Sequence, residues 1–304
     1  HSLTGWWAMQ FGTPNFAAHG GVCSVNMAAA GLYTIGGSFW EFGEPDWDST
    51  EYVLMFGVAE DHASNPIKRA LGKLKGRGAK VLCFAPSLAL ARKLIRSGAD
   101  GLVIEGMEAG GHIGPVSTSV LAQEILPFVD EVPMFVAGGI GHGEMIAAYL
   151  RMGASGVQMG TAFVCAEEST AHPAFKQAFV RAAARDAVPS VQVDPEFKVI
   201  PVRAIANSAT RRFTETQIDV IGRFRRGELS HEQASLAIEH FWAGALRKAV
   251  VEGDVEQGSL MAGQSVGLVR KIQPTAAILA DLLGQAERAL ERCDHAATSA
   301  RPAA

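Results

Sequence analysis

Three short glycine-rich segments hold the residues best suited to chemistry. The first, Glu105-Gly-Met-Glu-Ala-Gly-Gly-His-Ile-Gly114, sets His112 directly after Gly110 and Gly111. Imidazole titrates near neutral pH, so His112 can accept or release a proton under mild conditions. Paired glycines let backbone come close to a flat ligand. A lone loop histidine is more often structural than catalytic, but flanking glycines at the C-terminal end of a strand reverse that balance. The second segment, Ala137-Gly-Gly-Ile-Gly-His-Gly143, runs straight into a helix pattern. Its amides and the helix N-terminus suit an anion such as a phosphate. The third, Gln158-Met-Gly-Thr161, adds Gly160 and Thr161 as amide and hydroxyl donors. Glycine turns of this kind are common singly; two adjacent ones after the final strands match the phosphate site of (βα)₈ barrels.

The elements that must position these loops alternate in type. Tyr52-Val-Leu-Met-Phe-Gly57 and Ala79-Lys-Val-Leu-Cys-Phe84 have the length of buried strands, with a helix between them that starts at Asn65-Pro66. This is a β-α-β unit, which predicts parallel strands. Helices are predicted over 88–97, 119–128 and 143–152, and strands at Gly101-Leu-Val-Ile104, Met134-Phe-Val-Ala137 and Gly156-Val-Gln-Met159. Repeated β-α units with glycines at strand ends imply a parallel sheet or barrel, and ligands bind at the C-terminal ends of such strands. After about Ala166 the pattern reads as mostly helical to Arg292, and the Ala/Ser/Thr/Pro-rich last dozen residues read as disordered. Residues 1–50 hold four of the five tryptophans and read as loop-rich packing.

Composition bounds the rest. A chain of 304 residues that is 48% hydrophobic and 19% charged can bury a substantial core as one large domain or two small ones. A net charge of −4 gives no electrostatic reason to expect nucleic acid or an anionic membrane. Cys23, Cys83, Cys165 and Cys293 form no C-x-x-C pair, which argues against a disulfide framework or structural zinc and for a reducing, cytoplasmic setting. No apolar run approaches a membrane span, no leader pattern opens the chain, and His1 in place of Met reads as a truncated start.

Bland roles fit several other residues. Met107, Met134 and Met159 read as core, and Cys83 and Cys165 as small hydrophobes. Arg203, Arg211 and Arg212 read as a solvated face, and Glu167-Glu168 as the cap of a helix start.

The segments 101–114, 133–143 and 156–169 resemble the nitronate monooxygenase group, formerly called 2-nitropropane dioxygenases, which also holds the FMN-dependent enoyl-ACP reductases. The stretch Gly253-Asp-Val-Glu-Gln-Gly-Ser-Leu-Met-Ala-Gly-Gln-Ser-Val-Gly-Leu268 is similar to the group's closing glycine-rich motif, so the likeness runs over about residues 80–290. The resemblance implies an FMN-binding TIM barrel with a helical lid and His112 as acid/base beside the flavin. It implies cofactor contacts from Glu108, Gly110, Gly111, Gly138, Gly139, Gln158, Gly160, Thr161, Gly263 and Gln264, with Gly138, Gly139, Gly160 and Thr161 at the phosphate. No metal is implied there. The implied activity is oxidation of alkyl nitronates with oxygen, His112 removing an α-proton from a neutral nitroalkane. The alternative is NAD(P)H-dependent enoyl-ACP reduction, where His112 donates a proton to an enoyl thioester.

The front differs. Phe11-Gly-Thr-Pro-Asn-Phe-Ala-Ala-His-Gly-Gly-Val-Cys23 and the stretch from Tyr52 to Lys80 resemble the molybdopterin oxidoreductases, in which the position of Cys23 often ligates molybdenum. Such proteins need several hundred further residues to bury their cofactor. The two resemblances meet near Arg77-Gly-Ala-Lys-Val81, dividing the chain into a molybdopterin-oxidoreductase-like segment, 1–78, and an FMN barrel portion with helical lid and tail, 79–304. The expected fold class is α/β: a partial TIM-type barrel about three strands short, with a loop-rich N-terminal segment and a helical C-terminal region. Open sheet edges invite association, so a homo-oligomer is one expectation. A non-catalytic chimeric fragment and a molybdopterin-binding module remain the other readings.

Overall fold

Apolar runs bounded by glycine or proline form the strands that carry the site. The computed structural model describes residues 52–55, 76, 78, 80–242 and 244–299. In chain order come β1 (Tyr52–Met55), β2 (Lys80–Phe84), α1 (Leu88–Arg96), β3 (Gly101–Glu105), β4 (Gly111–His112), α2 (Thr118–Ile125), β5 (Met134–Ala137), α3 (Gly143–Arg151) and β6 (Gly156–Gln158). All but β4 among these strands form one parallel sheet in the order β1-β2-β3-β5-β6. Among the described residues this sheet stays open, as a barrel about three strands short requires. The helix expected from Asn65, the tryptophan-rich front and Cys23 lie outside the described residues.

Side-chain alternation explains how the sheet is covered. Leu102, Ile104, Met134 and Val136 are buried in a core shared with Leu121, Ala122 and Ile125 of α2 and Ala91 of α1. Burying each large aliphatic side chain contributes roughly 1.5–3 kcal/mol, which is enough to fix which face the helices cover. Capping then sets where the helices begin. The Ser87 hydroxyl accepts the Leu90 amide at 3.2 Å to start α1. His142 Nδ1 accepts the Glu144 amide at 3.3 Å to start α3. Ser117 makes no such bond, and α2 takes its cap from elsewhere.

The region beyond Ala166 is mostly helical, as expected, but it also carries two short strands that the sequence pattern did not suggest. After α4 (Pro173–Arg181), the strands β7 (Ala187–Pro189) and β8 (Val202–Ile205) form an antiparallel sheet in the order β4-β8-β7. These strands are two to four residues long and carry no apolar run, so their pairing depends on distant partners. Helices α5 (Ser208–Arg225), α6 (His231–His240) and α7 (Ala245–Val250) follow. Phe197, Phe213, Val220, Ile221, Ala234 and Ile238 make a separate small core in this helical region. The final helix, α8 (Thr275–Ser299), packs on α3, so the tail is helical as far as Ser299 rather than disordered over its last dozen residues. Its start is capped by Glu168, which accepts the Thr275 amide at 2.9 Å and hydroxyl at 2.8 Å.

Candidate active site

Strand register brings the three glycine loops together. Glu105 of β3 pairs with Ala137 of β5, which pairs with Gln158 of β6. These three residues form one row across the C-terminal edge of the sheet, on the face opposite the helix-covered core. The loops after them therefore emerge side by side. Gly138 (φ +94°) and Gly139 (φ +73°) adopt left-handed backbone and lie against Ala109 and Glu108 of the first loop. Among the described residues, no hydrogen bond occupies the amides of Gly138, Gly139, Gly160 or Thr161. A side chain at Gly160 would meet no atom within 4 Å, so this wall has room before it.

The helix N-terminus after the second loop is less available than the sequence implied. Gly143 donates its amide to Gln285 Oε1 at 2.7 Å, and the Glu144 amide is taken by His142. Any anion there would meet the loop amides rather than the first turn of α3.

The first loop is held from several sides. The Glu108 carboxylate accepts both the amide and the hydroxyl of Thr118 at 2.8 Å, supplying the cap that α2 lacks from Ser117. Its backbone carbonyl accepts the Gln264 amide at 2.9 Å. Gly263 in turn donates to Thr161 Oγ1 at 3.0 Å. Thus Glu108, Gly110, Thr161, Gly263 and Gln264 meet although they lie far apart in sequence. At Gly110 the close backbone approach expected of a flat ligand is made instead by Ala262 and Gly263: a Cβ there would lie 2.5 Å from the Gly263 nitrogen. Gly111 (φ +80°) turns the chain into β4.

His112 ends that turn. Its backbone pairs with Val202 of β8, and it remains exposed at the surface. Desolvation by surrounding protein atoms holds its imidazole below the ordinary 6.5, favouring the neutral, proton-accepting form. Met159 and Met134 sit in the core as expected. Burial pushes the Cys165 thiol up to about 11, in keeping with an inert small hydrophobe.

Two residues stand out that sequence reasoning passed over or misplaced. Burial pushes the Glu105 carboxyl up to about 7, at the β3 end of the row beneath the loops. Its signal in the sequence is a carboxylate closing an otherwise apolar strand. Arg203, expected on a solvated face, is only 2% exposed. Its Nε donates to the Met107 carbonyl at 2.8 Å and its Nη1 to the Ala187 carbonyl at 2.5 Å. Arg211 and Arg212 are exposed. A separate cavity of about 730 Å³ between α5 and α7 is lined by Arg212, Asp219, Phe241 and Lys248 and shares no residue with the loops.

Residues 52–285 match the family described as Nitronate monooxygenase. The chain belongs to that family. Its family match begins at β1, nearer the N-terminus than the likeness read from about residue 80. The (3aS,4S,5R,7aS)-5-hydroxy-7a-methyl-1-oxo-octahydro-1H-indene-4-carboxyl-CoA dehydrogenase of Mycobacterium tuberculosis is 30% identical over 246 residues, 73% of this chain and 69% of that one. The nitronate monooxygenase of Paraburkholderia phytofirmans is 29% identical over 249 residues, and this chain spans 62% of it. FabK from Thermotoga maritima superposes with a TM-score of 0.65 at 37% identity, covering 76% of this chain and 68% of the other. A different relative accords with the molybdopterin-like front. A sulfite dehydrogenase subunit from Allochromatium vinosum is 58% identical over 85 residues, 28% of this chain and 9% of that protein. Among the described residues no helix is long and apolar enough to cross a membrane. As a member of the nitronate monooxygenase family, the chain is an oxidoreductase by descent, with a parallel β/α scaffold that is open among the described residues.

Proposed function

We propose that the three loops bind FMN and that the protein oxidises alkyl nitronates with oxygen, with His112 as acid/base. The observation that carries this reading is the set of open amides at Gly138, Gly139, Gly160 and Thr161 on neighbouring loops, with empty space before Gly160. A terminal phosphate needs such a cluster of fixed N–H donors and no bulky side chains. When bound, the flavin supplies the electron transfer that no side chain can.

The remaining work falls to the chain. Gly138, Gly139, Gly160 and Thr161 hold the phosphate end. Gln158, Gly110, Gly111, Gly263 and Gln264 line the wall, while Glu108 fixes the first loop through its cap on α2. His112, neutral near pH 7 because desolvation lowers its pKa, removes the α-proton of a neutral nitroalkane at its free imidazole nitrogen.

A second reading within the same site is NAD(P)H-dependent reduction of an enoyl thioester, favoured by the likeness to FabK. There His112 donates the proton instead. The purified full chain should be yellow with FMN and consume oxygen with an alkyl nitronate. Crotonyl-thioester reduction by NAD(P)H without nitronate turnover would replace the first reading with the second. A colourless protein indifferent to FMN would end both.

A further inference from the structure

Arg203 is the most deeply buried charge next to the loops. Its place follows from the antiparallel ladder, in which Arg203 stands opposite Gly111 while Val202 stands opposite His112. The guanidinium then joins two elements, reaching the Met107 carbonyl through Nε at 2.8 Å and the Ala187 carbonyl through Nη1 at 2.5 Å. Both acceptors belong to the backbone, so the contact fixes the path of the chain rather than the rotamer of a side chain. A loop carrying Gly106, Gly110 and Gly111 has little stiffness of its own. Other ties help to hold it: the Met107 amide to the Val116 carbonyl at 2.8 Å, the Ile113 amide to the Pro201 carbonyl at 3.1 Å and the Gln264 amide to the Glu108 carbonyl at 2.9 Å, with the Glu108 carboxylate on Thr118. Arg203 grips the stretch between Gly106 and Glu108 and joins it to the strand that carries the partner of His112.

We infer that Arg203 is the positioning residue for His112, its guanidinium clamping the 105–114 loop against β7 and β8 so that the imidazole keeps one place. The inference rests on the acid/base reading of His112, but the clamp itself can be measured without it. A planar fork can serve two carbonyls at once; an ammonium on a flexible stem cannot reproduce that geometry.

The test compares the wild-type chain with Arg203→Lys and Arg203→Met. Hydrogen–deuterium exchange is read first, without added ligand, then FMN binding by absorbance, then turnover alone and combined with His112→Ala. Amides over 105–114 should lose protection in both variants, while strands 101–104 and 134–137 keep theirs. FMN affinity should fall only a few-fold, because the proposed phosphate amides lie on the other two loops, whereas proton-dependent turnover should fall about 100-fold, the scale of a misplaced catalytic group. Each double variant should be no slower than His112→Ala alone, because both changes then act through one imidazole. Unchanged loop exchange would overturn the proposal, as would losses that multiply with His112→Ala. Failure of both variants to fold would also overturn it, since Arg203 would then be a general core residue. Should the protein prove colourless and inactive, the exchange result still decides the clamp while the acid/base reading falls separately.

Discussion

Gly263 reaches across 102 residues of sequence to donate its amide to Thr161 Oγ1 at 3.0 Å. This bond ties the closing glycine-rich segment to the loop after β6. Gly263 is buried, so removing its acceptor leaves a buried donor unsatisfied. Thr161→Val should cost about 1–3 kcal/mol in urea unfolding, and Thr161→Ser should recover most of it. Equal stability of all three proteins would show that the bond is not formed in solution.

Gly110 and Gly263 also press backbone to backbone. A methyl group on Gly110 would lie 2.5 Å from the Gly263 nitrogen, and backbone cannot yield as a flexible side chain would. Gly110→Ala should destabilise the fold by about 1–3 kcal/mol and weaken FMN binding by opening the seam. Gly160→Ala, facing open space, should leave stability unchanged. The comparison is made by thermal melting with and without FMN.

Glu105 gives the protein a pH dependence of definite sign. Its folded pKa of about 7 lies above the ordinary 4.5, so between these values the folded state keeps a proton that the unfolded chain has released. Stability therefore falls as pH rises across that window and levels off above it. The full effect is at most about 3 kcal/mol. Glu105→Gln should flatten the slope, seen in urea midpoints at about pH 5 and about pH 8. An unchanged slope would place the titrating group elsewhere.

His112 separates the two proposed chemistries by the direction of its pH limb. As a base removing a proton, the free imidazole is needed, and kcat/KM should rise through a pKa below 6.5 and stay high at neutral pH. As a donor to an enoyl thioester, the protonated ring is needed, and the rate should fall through the same value. His112→Ala should abolish the limb and retain the flavin, because the residue stands on β4 and not on the phosphate loops. Loss of flavin in that variant would reassign its role.

What could be read from the sequence follows the reach of the forces involved. Strands β2, β3, β5 and β6 announce themselves because an apolar run between glycines is a local property. The strands β4, β7 and β8 do not, since residues such as Val202 and Arg203 become a strand only by pairing with Gly111, His112 and Pro189. That is why Arg203 looks like a surface residue when read in its own neighbourhood. Glu108 poses a related problem. Its position in a glycine loop suggests a ligand contact, and only the folded chain reveals that its carboxylate replaces Ser117 as the cap of α2. Glu105 is plain in the sequence, but its raised pKa depends on the strands and loops packed around it. The grouping of the glycine loops was legible, because parallel β-α order alone places their strand ends on one edge.

The contact between α3 and α8 has a temporal consequence. The amide of Gly143 is held by Gln285, 142 residues later, and Arg151 reaches the Leu290 carbonyl at 2.8 Å. On the ribosome, the loop after β5 is made long before the helix that completes its surroundings. Until residues 285–290 emerge, the nascent chain must carry the second glycine loop and the exposed face of α3 without this cover, an interval that favours chaperone capture or misassociation. Chains stalled short of residue 285 would hold every proposed contact residue and still lack the brace behind the second loop.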